Sequence, residues 1–400
     1  MQKRRQGGSL TDLRKANRDE ALSLLRLQGA LTQAEISRAT GLSPASVSNI
    51  VRDLKEEGVA SVKLVRRNGR RATEVTLNPS VGLVAGIDFG NRHVRVALAD
   101  LAHTVLAESQ RSLHYGHEAA VATRVATVML HELADEAGRD LADVQTVAIG
   151  VPGPINRESA QVASLTILPG WAGFDVRSAF EASLGIPVVV DNDANLGALA
   201  EGLWGVGRGL SDFAYIKVST GIGAGLILNG QLYRGTAGTA GEIGHTTMEE
   251  DGPMCRCGNR GCLEMLAGAP ALLDLLRASH GSDLTLEDVL RLSDAGDVGC
   301  RRVIVDAGRH IGVALANLWN LLSPQLIIVG GELALAGDVL LGAIRESMTR
   351  RAVSVTAQAT QVVSGVLAER TGVLGALALA LKESDRDLGA RMASASVEAG

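Results

Sequence analysis

The spacing of apolar positions changes character near residue 80. From residue 17 it is helical: Ala21, Leu24 and Leu25 share one face behind Asn17, a candidate N-cap, and Gly29 ends the segment. Thr32 with Glu35 three residues on has the form of a capping box opening TQAEISRAT. Gly41 then makes a tight turn. Ser43, with Pro44 behind it, opens a third helix, SPASVSNIVRDLKEEG, whose Val47, Ile50, Val51 and Leu54 face inward. Past Gly58 the pattern alternates instead. VASVKLVR and ATEVTLN read as strands joined by a basic turn containing Asn68-Gly69, a strong hairpin signal. Three short helices followed by a basic hairpin predict an α+β winged helix-turn-helix over residues 1–80.

A second pattern begins at residue 83. LVAGIDFGNRHVRVALADL reads as strand, glycine turn, strand, and a related pattern returns at DFAYIKVSTGIGAGLILNG, residues 212–230. Between them lie a helix at about 118–137 and the strands TVAIGVPG and IPVVVDNDA. Residues 301–322 form a long helix ending before Pro324, and QLIIVGGEL is a strand running into glycines. Two halves that each open on a glycine-turned hairpin describe a two-lobed, actin-like α/β fold with ligands in the cleft. That unit spans 81–383, and the polar, small-residue stretch 384–400 is expected to fray.

Charge separates the same two stretches. Residues 1–80 carry 15 Lys/Arg against 8 Asp/Glu, whereas the remainder carries 24 against 36, so the first unit suits a polyanion and the second does not. The short residues on the polar side of the third helix, Ser43, Ala45, Ser46, Ser48, Asn49 and Arg52, can approach base edges in a major groove. Arg66, Arg67, Arg70 and Arg71 on the wing suit phosphates or the minor groove. The partner expected is a double-stranded DNA operator. Because operators of this kind are two-fold, a homodimer or homotetramer is expected with it. The basic N-terminus lacks the apolar stretch of a signal peptide, and no run approaches a membrane span. The compartment expected is the cytoplasm, where four thiols stay reduced.

Three of those four cysteines cluster in His245-x9-Cys255-x-Cys257-x4-Cys262, interleaved with Gly258 and Gly261, which let the backbone wrap an ion. One imidazole and three thiolates make a closed tetrahedral zinc site with no open position for catalysis, so the zinc is read as structural. Cys300 stands apart and reads as an ordinary helix cysteine.

GEIGH (241–245) followed by CRCGNRGCLE (255–264) resembles the signature of the ROK family of repressors, open-reading-frame products and sugar kinases. VPGPIN, LPGW, NDANLGALAE, STGIGAG and IIVGGE match that family in order, and the resemblance covers about residues 80–382. It implies a sugar-kinase fold of the ribonuclease H-like, actin-like class. With the winged helix included, the architecture is similar to that of the family's sugar-responsive repressors. It also implies a sugar pocket: Asn192 and Asp193 at the cleft floor, Glu242 and Glu264 as paired acceptors, and Gly153 for close backbone approach. His245 would place one ring nitrogen on zinc and turn the other toward the sugar.

In family kinases the position of Asp193 holds the general base, but phosphoryl transfer also needs a phosphate cradle. The kinase pattern Asp-x-Gly-Gly-Thr stands here as Asp88-Phe89-Gly90-Asn91-Arg92, and Glu332 follows Gly330-Gly331 where a third glycine is frequent. The second loop, Ser219-Thr220-Gly221-Ile222-Gly223, is intact. The reading is a DNA-binding regulator of carbohydrate genes, responsive to a sugar or sugar phosphate and not an enzyme. An active ATP-dependent hexokinase and a repressor controlled by a protein partner are the alternatives.

Overall fold

A computed structural model describes residues 17–398 except 19, 23, 26–28, 68–69, 79–81, 157–158, 163–167 and 354–360. The expected Asn68-Gly69 turn therefore lies outside the described residues, as does the side chain of Arg70.

The first domain begins with α1, whose described residues fall within 17–25 and which closes on Gly29 through the bond from its amide to the Leu25 carbonyl. A short strand, β1 (Leu31–Thr32), leads into α2 (Gln33–Thr40). Thr32 and Glu35 cap that helix reciprocally, the side chain of each accepting from the other's backbone amide. Gly41, at φ 68°, makes the turn to α3 (Pro44–Glu56), and Ser43 is its N-cap. Val47, Val51 and Leu54 are buried with Ile36, Leu25 and Val75 in one small core, each contributing about 1.5–3 kcal/mol. β2 (Ala60–Arg67) and β3 (Arg70–Leu77) form the antiparallel wing, and β1 pairs with β3.

The second domain holds two five-stranded sheets of the same topology. One orders β6-β5-β4-β7-β8, from β4 (Leu83–Phe89), β5 (His93–Asp100), β6 (Val105–Ser112), β7 (Val144–Val151) and β8 (Val188–Asn192). The other orders β11-β10-β9-β12-β13, from β9 (Phe213–Val218), β10 (Ile222–Leu228), β11 (Gln231–Tyr233), β12 (Leu326–Gly330) and β13 (Gln361–Ser364). In each, three antiparallel strands precede two added in parallel. The weak sequence duplication is thus a duplication of topology.

Helices α4 (Ala119–Glu136) and α5 (Val176–Leu184) cover one face of the first sheet around Phe89, Trp171 and Phe180. On the second sheet, α7 (Leu263–Ala267), α8 (Ala269–His280), α9 (Leu286–Asp294), α10 (Val298–Leu322) and α11 (Asp338–Thr349) share one core. Between the lobes lies α6 (Asp193–Leu203), with Leu196 and Ala200 facing the first sheet and Ala198 packed with Phe213 and Tyr215 of the second. The approach is close enough that a Cβ at Gly225 would stand 2.3 Å from the Ala194 carbonyl oxygen. The last helix, α12 (Thr371–Glu398), packs beside α6. None of the described helices is long and apolar enough to cross a membrane.

Candidate functional site

On the DNA-binding domain, Ser43, Ala45, Ser48, Asn49 and Arg52 are exposed along one side of α3. Ser46 is partly buried, its hydroxyl 2.9 Å from that of Ser43, whose oxygen also accepts from the Ser46 amide. These two serines hold the N-cap together and have less to offer a base. On the wing, Arg66 and Arg71 pair across the hairpin and are exposed. Arg67 is drawn back onto α2 by an ion pair with Glu35, with Glu74 at 4.0 Å. Lys63, exposed on β2, is a further cation on this hairpin.

The cleft gathers where β7 and β8 end. Val151 pairs with Asn192 in parallel register, which brings Gly153, at φ 102°, level with the start of α6. Asn192 caps α6: its Oδ1 accepts from the Asn195 amide at 2.8 Å, leaving Nδ2 to meet a ligand. Asp193 is bridged by Lys217 of β9. Burial pulls the ammonium down, but the Asp193 charge outweighs it, and Lys217 stays charged above its ordinary range. Neighbouring Asp191 is buried and clamped by Arg234 at 2.6 and 2.8 Å. Glu242 is pushed up to about 7 by burial first and then by the charges of Asp193 and Glu264, against the pull of Arg256. Glu264 is committed at both oxygens: Arg256 holds one at 2.6 Å and the Ile222 amide donates to the other at 3.2 Å. Four carboxylates and three cations therefore gather at this end of the cleft, which can meet the hydroxyls of a polyol as both donor and acceptor.

His245 stands beside them on the turn Ile243–His245. Its Nδ1 lies 3.5 Å from Cys255 Sγ, and its Nε2 faces Glu242 Oε2 at 3.9 Å. Cys257 and Cys262 sulfurs are 3.6 Å apart, and all four donor atoms lie within 4.8 Å of one another. For a tetrahedral zinc the corresponding edges are about 3.6 Å for N to S and about 3.8 Å for S to S. The donor set and its spacing fit the ion. Burial and the adjoining thiols push Cys262 up to about 12, the repulsion expected where sulfurs crowd together. The group can hold a metal. Cys300 does not stand apart as its sequence context suggested: its sulfur is 3.8 Å from His280 Nε2, and its amide donates to the N-cap Asp297.

The two glycine hairpins meet across the cleft. Asn91, between β4 and β5, donates from Nδ2 to Thr220 Oγ1 between β9 and β10, at 3.1 Å, and its Oδ1 is buried without a partner. Arg92 turns outward over the Tyr115 ring, 5.3 Å from its centroid. Lys217, Arg234, Asp191 and Arg256 were not among the sequence candidates. Lys217 had a signal, being the one charge in the apolar strand FAYIKV, whereas Arg234 had none.

Residues 84–383 match the model of the ROK family, and residues 20–60 match that of a winged helix-turn-helix DNA-binding domain. The xylose repressor of Caldicellulosiruptor bescii is 29% identical over 391 residues, covering 94% of this chain and 98% of its own. The DNA-binding transcriptional repressor Mlc of Escherichia coli is 27% identical, covering 93% and 94%. Among solved structures, a ROK family transcriptional regulator described as a homolog of E. coli MLC protein superimposes with a TM-score of 0.75 at 25% identity, covering 93% of this chain and 97% of its own. A ROK family glucokinase from Streptomyces griseus, in complex with glucose and AMPPNP, aligns over 74% of this chain and 99% of its own, with a TM-score of 0.66 at 27% identity. The chain is thus a member of the ROK family that carries an N-terminal winged helix-turn-helix.

Proposed function

We propose that this protein is a sugar-responsive transcriptional repressor of carbohydrate genes, acting in the cytoplasm as a homodimer or homotetramer. Residues 1–80 read the operator, and residues 81–383 bind a sugar or sugar phosphate that alters the grip on DNA. Ser43, Ser48, Asn49 and Arg52 face the major groove, Ser46 supports them, and Arg66, Arg67, Arg70 and Arg71 carry the wing's charge. In the cleft, Gly153, Asn192, Asp193, Glu242, His245 and Glu264 engage sugar hydroxyls. Zinc on His245, Cys255, Cys257 and Cys262 would fix the ring of His245 and contribute folding energy.

The observation that carries the non-enzymatic half is the Asn91–Thr220 hydrogen bond. Catalysis of phosphoryl transfer rests on preorganised donors around the phosphates. Here an amide side chain spans the two loops that would supply them, while the sugar side keeps its acids and Lys217. Asp193 consequently serves as a ligand acceptor, tied to Lys217, rather than as a base. Repressor relatives of full length support the same reading. The intact second loop keeps an ATP-dependent sugar kinase as the rival. A coupled ADP-release assay with D-glucose, D-xylose and N-acetyl-D-glucosamine separates the two. The proposal expects binding in a thermal-shift screen without turnover, and ADP production abolished by Asp193→Ala would overturn it.

A further inference from the structure

Strand β5 turns into β6 through residues 101–104, and there the second domain meets the first. His103 occupies the turn at φ 68°, a left-handed conformation that is uncommon in a residue with a Cβ. Asp100, 1% exposed, fixes the turn: its Oδ1 accepts from the amides of Ala102 and Thr104, each at 2.9 Å. On one side, Ala102 packs into the core of the DNA-binding domain. The His103 ring lies against the Gly29 turn, where a Cβ would stand 3.8 Å from Nδ1. On the other side it meets Trp204 edge-on, the ring centroids 6.1 Å apart. Among the described residues, His103 Nε2 is sealed from solvent without a hydrogen-bond partner.

Trp204 is the C-cap of α6, and the N-cap and first residue of the same helix are Asn192 and Asp193. One helix of 11 residues, about 16 Å long, joins the cleft floor to the domain contact. It does not float between them. Leu196, Ala200, Leu203 and Trp204 share a core with Leu101 and Val105, which flank His103 on the turn. Such interiors are close-packed and move as discrete units rather than yielding gradually.

We propose that the His103–Trp204 contact is the surface on which the second domain seats the chain's own DNA-binding domain, and that ligand at the head of α6 shifts that seat. This rests on the sugar-responsive reading of the cleft. A ligand that re-forms the polar groups around Asn192 and Asp193 displaces α6 along its axis. The displacement arrives at Trp204, and the αL turn carries it to Gly29 at the entry to the helix-turn-helix.

The test measures coupling apart from binding. A DNA duplex is selected from a random pool with the wild-type chain. Its affinity is then measured with and without saturating D-xylose, D-glucose or N-acetyl-D-glucosamine. His103→Gly removes the ring and accepts the left-handed φ without strain. Trp204→Leu removes the ring from the other side and keeps apolar bulk. In both variants, sugar affinity and sugar-free DNA affinity should stay at wild-type values. The ratio of DNA affinities, about 5–150-fold for typical coupled sites, should fall toward one. Variants that bind both ligands and keep the wild-type ratio overturn the coupling and leave the functional reading standing. A wild-type chain whose DNA affinity no probe alters overturns that reading, and this inference with it.

Discussion

Lowering the pH from 7 to 5 should weaken the domain contact through His103. Burial, helped by the nearby charge of Arg208, pulls its pKa down to about 4, against 6.5 for an exposed imidazole. Asp100, on the same turn, spends one carboxylate oxygen on two backbone amides. Between those two pKa values the unfolded chain binds a proton that the folded one refuses. Stability therefore rises with pH across the window: it is complete above about pH 6.5 and lost as the pH falls toward 4. With these values, the step from pH 7 to pH 5 costs about 2 kcal/mol. His103→Asn tolerates the left-handed turn and carries no proton. Urea unfolding of both proteins at the two pH values, followed by tryptophan fluorescence, isolates the difference, because every other titrating group is common to both. The wild type should lose about 2 kcal/mol more than the variant. Equal losses would refute the buried, neutral imidazole.

Four further outcomes follow from the sites. Cys257→Ser should lower metal content, measured by atomic emission, together with thermal stability; loss of neither would remove the metal from the account. Arg71→Ala should flatten the salt dependence of DNA binding by about one unit, whereas Arg67→Ala, already paired to Glu35, should cost mainly about 0.2–1 kcal/mol of stability. Asn49→Ala should cost about 1–3 kcal/mol on the operator alone, and an equal loss on random DNA would show that it reads no base. Asn91→Gly should strengthen binding of an ATP analogue by opening the clasp to Thr220, and unchanged calorimetric titrations would remove the clasp as the barrier.

Much of this was legible in the sequence because the signals are local. The Thr32–Glu35 capping box, the Ser43-Pro44 helix start and the two glycine-turned hairpins each lie within a few residues. The metal group was legible because three of its four ligands fall within eight residues. What stayed hidden is long-range pairing, on which periodicity carries no information. Lys217 finds Asp193 across 24 residues, Arg234 finds Asp191 across 43, and Asn91 finds Thr220 across 129. Arg67 looked free for phosphate until Glu35, 32 residues earlier, took it. The commitment of Glu264 to Arg256, eight residues earlier in the same motif, was hidden for a different reason: a motif names acids that face a ligand and says nothing of the cation that already holds one of them.

The central claim is that one chain binds a sugar without phosphorylating it and reads DNA differently as a result. The most direct measurement is a fluorescence-anisotropy titration of the selected duplex with full-length wild-type protein and with Asp193→Ala, each with and without the sugar that raises its melting temperature. The account predicts that sugar changes the wild-type DNA affinity and leaves that of Asp193→Ala unchanged, with sugar-free affinities alike. A wild-type affinity indifferent to bound sugar would contradict it.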